Sequence, residues 1–241
     1  MHNDTKYDFQ AGATLLVDKP MGWTSFDVVN KIRFALRNKL NVKKIKVGHA
    51  GTLDPLATGL LIICTGKFTK KIDSYQAQYK VYEGTFLLGA TTPSFDAETE
   101  PDQTFDTTEL SIEKIEANVA NFVGTIEQTP PIYSAIKVDG QPLYKKARQG
   151  KSDEVIIKKR QVTIDNFEID VANFPSIDFK VQCSKGTYIR SLAHEFGESL
   201  ENGAYLTRLV RTHIGEYALA DAWNLDELIA FINEESKTVE V

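Results

Sequence analysis

This 241-residue sequence predicts an α+β fold, a mixed and largely antiparallel sheet flanked by helices. Three observations carry that expectation. Stretches with two-residue alternation and stretches with helical spacing follow one another irregularly, without the regular crossover repeat of a doubly wound fold. Strand-like runs return through hairpin signals such as Asp139-Gly140. A hydrophobic content of 42% over this length is enough to bury a core.

The elements follow in order. Ala13 to Val17 reads as a short strand, and Ser25 to Leu36 as a helix capped by Thr24 or Ser25, with Phe26, Val29, Ile32, Phe34 and Leu36 as its apolar positions. Gly48, Gly51, Pro55 and Gly59 then crowd too many breakers together for a helix, so this stretch is a structured loop. Leu60 to Cys64 is a buried strand and Lys67 to Tyr75 a short helix. Lys80 to Ala90 is strand-like, Thr91 to Glu109 an acidic loop, and Ser111 to Phe122 a surface helix with Ile112, Ile115, Val119 and Phe122 at helical spacing. Ile132 to Val138 enters a hairpin, and Leu143 to Gln149 returns as a helix ended by Gly150. Val155 to Val171 and Ile177 to Cys183 alternate as strands, Ile189 to Leu200 is a helix, Tyr205 to Ile214 a strand, and Leu225 to Ile232 a last helix. No linker or internal repeat divides residues 1–241, which read as a single domain.

Composition excludes several classes. No uninterrupted apolar run exceeds that of Leu60 to Cys64, which falls far short of the roughly 20 residues of a membrane helix. Met1 to Gly12 is polar and carries no secretory pattern, so the expected compartment is the cytoplasm, with Cys64 and Cys183 reduced and buried. The net charge of -5 argues by itself against a nucleic-acid partner. The charges, however, are segregated. Acidic residues gather between Asp96 and Glu116 and again from Glu216 to Glu240, while basic ones gather from Lys31 to Lys46 and from Lys137 to Arg160. Such segregation gives either local positive faces suited to phosphate or ordinary solvated surfaces.

The four histidines and two cysteines are scattered, without the spacing of a zinc site, and His194-Glu195 lacks the second histidine of a zinc-protease helix. No metal is expected. Gly66-Lys67-Phe68-Thr69 fails the phosphate-loop pattern, and no serine lies in a nucleophile elbow. What remains is the loop from Val47 to Gly59, whose glycines allow close approach to a ligand and whose only carboxylate is Asp54. An Asp before Pro also caps turns, so the residues alone leave both readings open.

GHAGTLDPLATGLL, residues 48 to 61, resembles the signature of TruB-type pseudouridine synthases. Further segments are similar in type and order: Leu16-Val17-Asp18-Lys19-Pro20, Tyr79-Lys80-Val81, Tyr133 to Lys137, Leu143 to Gly150, and Cys183-Ser184-Lys185-Gly186-Thr187-Tyr188-Ile189-Arg190. The resemblance covers roughly residues 13 to 215. It departs from the family in two places. Members usually continue into a C-terminal RNA-binding module of the PUA type, for which residues 216–241 are too short and too acidic, so some RNA affinity is expected to be missing. Near Leu209-Val210-Arg211-Thr212 the family commonly has two adjacent arginines, and here only Arg211 stands.

The resemblance implies a pseudouridine synthase fold and the isomerisation of one tRNA T-loop uridine, uridine-55, without cofactor. Uracil leaves its N-glycosidic bond, turns, and rejoins the ribose through C5. Asp54 corresponds to the catalytic aspartate, which either adds covalently to the base or ribose or helps remove a ribose proton. Arg190 matches the guanidinium that opposes the carboxylate's desolvation. Tyr79 matches the tyrosine stacked on the everted base, and His49 the loop histidine that fills the vacated position. Lys19, Tyr188 and Leu209 line the pocket, each equally open to a packing role, and Arg211 is a further RNA-binding residue. Residues 124–150 resemble an insertion that contacts the tRNA T-arm. The loop sequence is closer to stand-alone bacterial enzymes than to guide-RNA-dependent relatives, so a monomer that selects tRNA without guide RNA is expected. The competing readings are an RNA-folding chaperone, a synthase acting on ribosomal RNA or through a guide, and a nucleotide-phosphate enzyme.

Overall fold

The computed structural model describes residues 7–134, 137–138, 141–142 and 158–234. Its first elements are β1 (Thr14–Lys19), α1 (Ser25–Lys39), β2 (Val47–His49), β3 (Ala57–Thr65), α2 (Ile72–Ala77), β4 (Lys80–Leu88), β5 (Ala90–Thr91), β6 (Gln103–Thr104) and α3 (Ile112–Asn118). There follow β7 (Gly124–Gln128), β8 (Lys137–Val138), β9 (Gln141–Pro142), β10 (Arg160–Asp170), β11 (Ser176–Cys183), α4 (Ile189–Ser199), β12 (Ala204–Ile214), β13 (Tyr217–Ala218), β14 (Trp223–Asn224) and α5 (Leu225–Glu234). The chain divides into two compact units, residues 1–81 with 210–241 and residues 82–209.

In the first unit β3 is the organising strand. It pairs antiparallel with β1, from Thr14↔Cys64 to Lys19↔Gly59, and with β2, where His49 faces Ile63. β1 in turn pairs parallel with β14. The unbroken apolar run in β3 has a simple cause, because both faces of the strand are covered. Leu61 and Ile63 pack with Val17, Val28, Ile32, Leu36, Leu228 and Ile232 from β1, α1 and α5. Leu60, Ile62 and Cys64 point the other way, toward Ala50, Tyr75 and Ile214. Each such fully buried side chain contributes about 1.5–3 kcal/mol. α1 begins at a capping box in which Thr24 and Asp27 bond reciprocally.

In the second unit β10 pairs antiparallel with β11 and with β7. Its core is aromatic: Phe86, Phe122 and Phe167 pack on Phe196 of α4, with Phe86 at 5.2 Å and Phe122 at 5.4 Å from it between ring centroids, and Phe179 packs on Phe86 and Phe167. Gly84 admits the Phe179 ring, whose tip would lie 2.7 Å from any Cβ there. Ser111 caps α3 through the Lys114 amide at 3.2 Å, and of the expected apolar positions Ile115 and Phe122 are buried, Val119 is half-buried and Ile112 is exposed.

The α+β expectation agrees with these sheets and helices, and several details differ. Residues 48–59 are not loop throughout, since β2 reaches His49 and β3 starts at Ala57. The breakers there permit the turn between two paired strands. Lys67 to Tyr75 divides into a 3-10 turn, Gly66–Lys71, and the α-helical Ile72–Ala77. β7 was not expected, because Gly124 to Gln128 alternates only weakly. Lys137↔Pro142 and Val138↔Gln141 pair on either side of the hairpin signal, whereas the expected helix from Leu143 to Gln149 and the start of the strand from Val155 lie outside the described residues. Charge segregation is also incomplete: Lys31 of the first basic run bonds Asp226 of the second acidic block at 2.7 Å. Cys64 and Cys183 are each buried, and neither forms a disulfide. Among the described residues no helix is long and apolar enough to cross a membrane.

Candidate active site

Asp54 occupies the turn between β2 and β3 and is half-buried. The backbone on both sides of it is pinned by side chains of the first unit. On one side Ser25, 1% exposed, takes the Leu53 amide at 2.8 Å and donates its hydroxyl to the Leu53 carbonyl at 3.2 Å. On the other, the Pro55 carbonyl accepts from the Gly22 amide at 2.8 Å and from the Lys19 ammonium at 3.4 Å. The Ala57 amide closes the turn on the Asp54 carbonyl at 3.1 Å.

Arg211 and Asp18 hold the ends of the loop. Arg211, 1% exposed, donates from Nε to the Leu60 carbonyl at 2.8 Å and from Nη2 to the Gly51 carbonyl at 3.1 Å. Asp18 Oδ1 accepts from the Gly59 amide at 3.1 Å. Gly51 and Gly59 have φ of 98° and 101°, in the left-handed region where a side chain is strained. At Gly59 a Cβ would also meet the Arg211 backbone, with its nitrogen at 2.8 Å. Glycine is required there by conformation and by space.

The local field is positive. Lys19 is fully buried and donates to the Trp23 carbonyl at 2.6 Å and the Pro20 carbonyl at 3.0 Å. Burial lowers its pKa from 10.5 to about 8, with the Asp54 charge opposing the shift and the Arg211 charge adding to it. Lys19 therefore stays mainly charged at neutral pH beside Asp54. His49, at the end of β2, has its pKa pushed below the ordinary value first by burial and then by Arg211. Its Nδ1 is shielded from solvent. The ring is consequently neutral at pH 7.

Tyr79 also belongs to the first unit and is 41% exposed, in contrast to its neighbours. Its backbone is fixed: its carbonyl accepts from the Gly215 amide at 2.9 Å, and the ammonium of Lys80 donates to the Gln76 and Gln78 carbonyls at 2.6 Å each. The ring is left available while its root is rigid.

In the second unit Tyr188 caps the start of α4 and Arg190 lies in its first turn. Arg190 is 4% exposed, so it is no surface arginine. It donates to the Ser94 carbonyl at 3.0 Å and the Tyr133 carbonyl at 2.8 Å, and its Nε lies 3.6 Å from the Asp96 carboxylate. Asp96 is itself buried and accepts from the Ser94 hydroxyl at 2.6 Å and the Glu98 amide at 3.0 Å. Leu209 is buried at 8% exposure.

The structure thus brings Lys19, His49, Asp54 and Arg211 together in one unit and places Tyr188 and Arg190 at one helix end in the other. Sequence reasoning missed Ser25, Asp18 and Asp96 as parts of this machinery. Asp18 stood inside the quoted Leu16 to Pro20 segment and Ser25 at an expected helix start, so both had a signal. Asp96 had none, being one acid in an acidic run. Of residues 124–150, Lys145, Lys146 and Arg148 lie outside the described residues. Among the described residues no three His, Cys, Asp or Glu side chains gather as a metal site would need.

Comparison with known proteins gives a consistent result. The N-terminal-domain model of the TruB family of pseudouridylate synthases matches residues 37–189. The tRNA pseudouridine synthase B of Flavobacterium johnsoniae is 56% identical over 219 residues, 90% of this chain and 95% of that one. That of Phocaeicola vulgatus is 50% identical over 95% of this chain and 96% of its own length. Among solved structures, a chain from a Cbf5-Nop10-Gar1 complex superposes with a TM-score of 0.69 at 26% identity. The match covers 96% of this chain but only 58% of that longer one.

Proposed function

This chain belongs to the TruB family of pseudouridylate synthases and is an RNA pseudouridine synthase, and from that premise we propose that it isomerises the T-loop uridine of tRNA, uridine-55, with Asp54 as its catalytic carboxylate. The observation that carries the reading is the Asp54 turn. Bonds to Leu53 and Pro55 on either side fix the carboxylate's origin before any substrate arrives, which is how a site avoids reorganising during the reaction.

The remaining roles follow from the surroundings of each residue. Extracting a stacked base costs a few kcal/mol, and a stacking surface returns about 1–3 kcal/mol per base. The open ring of Tyr79 supplies such a surface. His49, neutral because it is buried beside Arg211, enters an RNA stack without carrying a charge into it. Lys19 and Arg211 brace the turn and keep positive charge near Asp54. Arg190 serves as the guanidinium of the reaction, and Tyr188 and Leu209 line the base pocket. We assign no cofactor. The enzyme works in the cytoplasm as a monomer on the T-arm, without a guide RNA, residues 1–241 acting as one catalytic domain and 124–150 contributing phosphate contacts.

The test is chemical mapping of pseudouridine in a bare tRNA transcript incubated with the purified full chain. One T-loop position is expected to convert with wild type and none with Asp54→Asn, while tRNA binding by the variant persists. Conversion by Asp54→Asn at the wild-type rate removes Asp54 from the mechanism, and conversion elsewhere in the tRNA removes the T-loop assignment. Binding should weaken steeply between dilute and physiological salt.

A further inference from the structure

Arg160 opens β10 opposite Gln128 of β7, and its guanidinium lies 4.5 Å from the centre of the Tyr188 ring. That arrangement is built, not incidental. Gln128, fully buried, accepts the Tyr188 amide at 2.7 Å through Oε1 and donates to the Tyr188 carbonyl at 3.0 Å through Nε2. The strand ladder and this double bond together hold the ring beneath the guanidinium. On another side the guanidinium lies against the Gly186 backbone, where φ is 85° and Nη1 would stand 3.6 Å from a Cβ.

The anomaly is in the hydrogen bonding. Nε and Nη2 of Arg160 are both shielded from solvent, and among the described residues neither has a hydrogen-bond partner. Arg190, on α4, directs two nitrogens to the Ser94 and Tyr133 carbonyls and holds its Nε 3.6 Å from the Asp96 carboxylate. Arg160 as a residue is half-buried, but shielded N–H groups without an acceptor are costly, and native structures retain them where something else satisfies them. Nε and Nη2 lie in one plane, the fork that binds two oxygens of a single oxyanion. The first turn of α4 contains no acidic residue to oppose an anion, and its amide end adds positive potential.

We propose that Arg160, stacked on Tyr188, is a binding site for one phosphodiester of the RNA substrate, taken by Nε and Nη2 in bidentate fashion. The inference rests on the reading of the chain as a T-loop uridine synthase, with Tyr188 lining the pocket of the everted base. A phosphate gripped at the edge of that ring belongs to a nucleotide flanking the target, so Arg160 sets the register of the strand as well as adding affinity.

The experiment measures binding of a T-arm RNA hairpin across a salt series by wild type, Arg160→Gln and Arg160→Lys. Arg160→Gln is expected to bind about tenfold or more weakly, and the slope of log K against log salt is expected to fall by roughly 0.7 to 0.9, one phosphate contact. Arg160→Lys keeps the slope and loses part of the affinity, because an ammonium has no fork. Hairpins with a single neutral methylphosphonate linkage locate the contact: at one linkage beside the target uridine wild type weakens and Arg160→Gln weakens no further. Should Arg160→Gln fail to fold, the same linkage must still discriminate wild type from Arg160→Lys. An unchanged slope in Arg160→Gln, or equal weakening of both proteins at every linkage, overturns the site. Displacement of the hairpin by millimolar inorganic phosphate overturns the phosphodiester assignment in favour of a free-phosphate site. Pseudouridine formed on the hairpin by wild type separates these failures from failure of the T-loop reading. A wild type that neither binds nor modifies the hairpin ends both.

Discussion

Arg211 donates to the carbonyls of Gly51 and Leu60, at 3.1 and 2.8 Å, and so ties together the two ends of the loop that carries Asp54. Hydrogen bonds to charged groups are worth about 1.5–3 kcal/mol each, and truncation strands both carbonyls. Arg211→Met should therefore lower the unfolding free energy by about 2–4 kcal/mol in urea titration and slow pseudouridine formation even in the fraction that stays folded. Full activity per folded molecule would show that the loop keeps its shape without Arg211.

Lys19 reports on the charge of its site. An unfolded lysine near 10.5 still holds its proton between pH 8 and 10.5, where folded Lys19, at about 8, has released it. The unfolded state binds more protons in that window, so the penalty for burying the charge is full below about pH 8 and is relieved as pH rises toward 10.5. Because Asp54 raises this pKa and Arg211 lowers it, Asp54→Asn should move the Lys19 titration downward and Arg211→Met upward in NMR of its ammonium group. Identical titrations in both variants would separate Lys19 from the carboxylate.

The Arg190–Asp96 pair is buried on both sides, at 4% exposure each. Removing one member of such a pair typically costs about 3–5 kcal/mol, because the other charge remains without compensation. Arg190→Met is expected to fall in that range by denaturant unfolding. Adding Asp96→Asn should recover part of the loss, and strictly additive costs would argue against the pairing.

Glu195 predicts an acid-side effect in the second unit. Its carboxylate accepts the Thr129 amide at 2.9 Å, and burial raises its pKa from 4.5 to about 7. Here the folded state holds its proton longer than the unfolded state. The stabilising contribution is complete below about pH 4.5 and is lost as pH rises through 7. Glu195→Gln should flatten the dependence of Tm on pH across that interval, and a slope identical to wild type would rule the residue out.

The fold class, the buried strand from Leu60 to Cys64 and the capped start of α1 were legible because each is a local pattern, a run or a spacing read along the chain. Asp54 and Lys19, proposed from ordered motifs, lie near enough for their charges to interact. β7 was not, since a strand of mixed burial carries little periodicity, and the Lys31–Asp226 bond was hidden because its two charges sit in runs that look opposed and separate.

By itself the sequence determined the family to which the chain belongs, because motif order is a one-dimensional property, and it named the residues proposed for the chemistry. Only the tertiary structure decided what holds them. That Ser25 grips Leu53, that Arg190 meets Asp96, and that Arg160 lies over Tyr188 all depend on groups brought close from distant parts of the chain. Hydrogen bonds act over about 3 Å and burial over a few ångströms more, and neither distance is written in the spacing of residues.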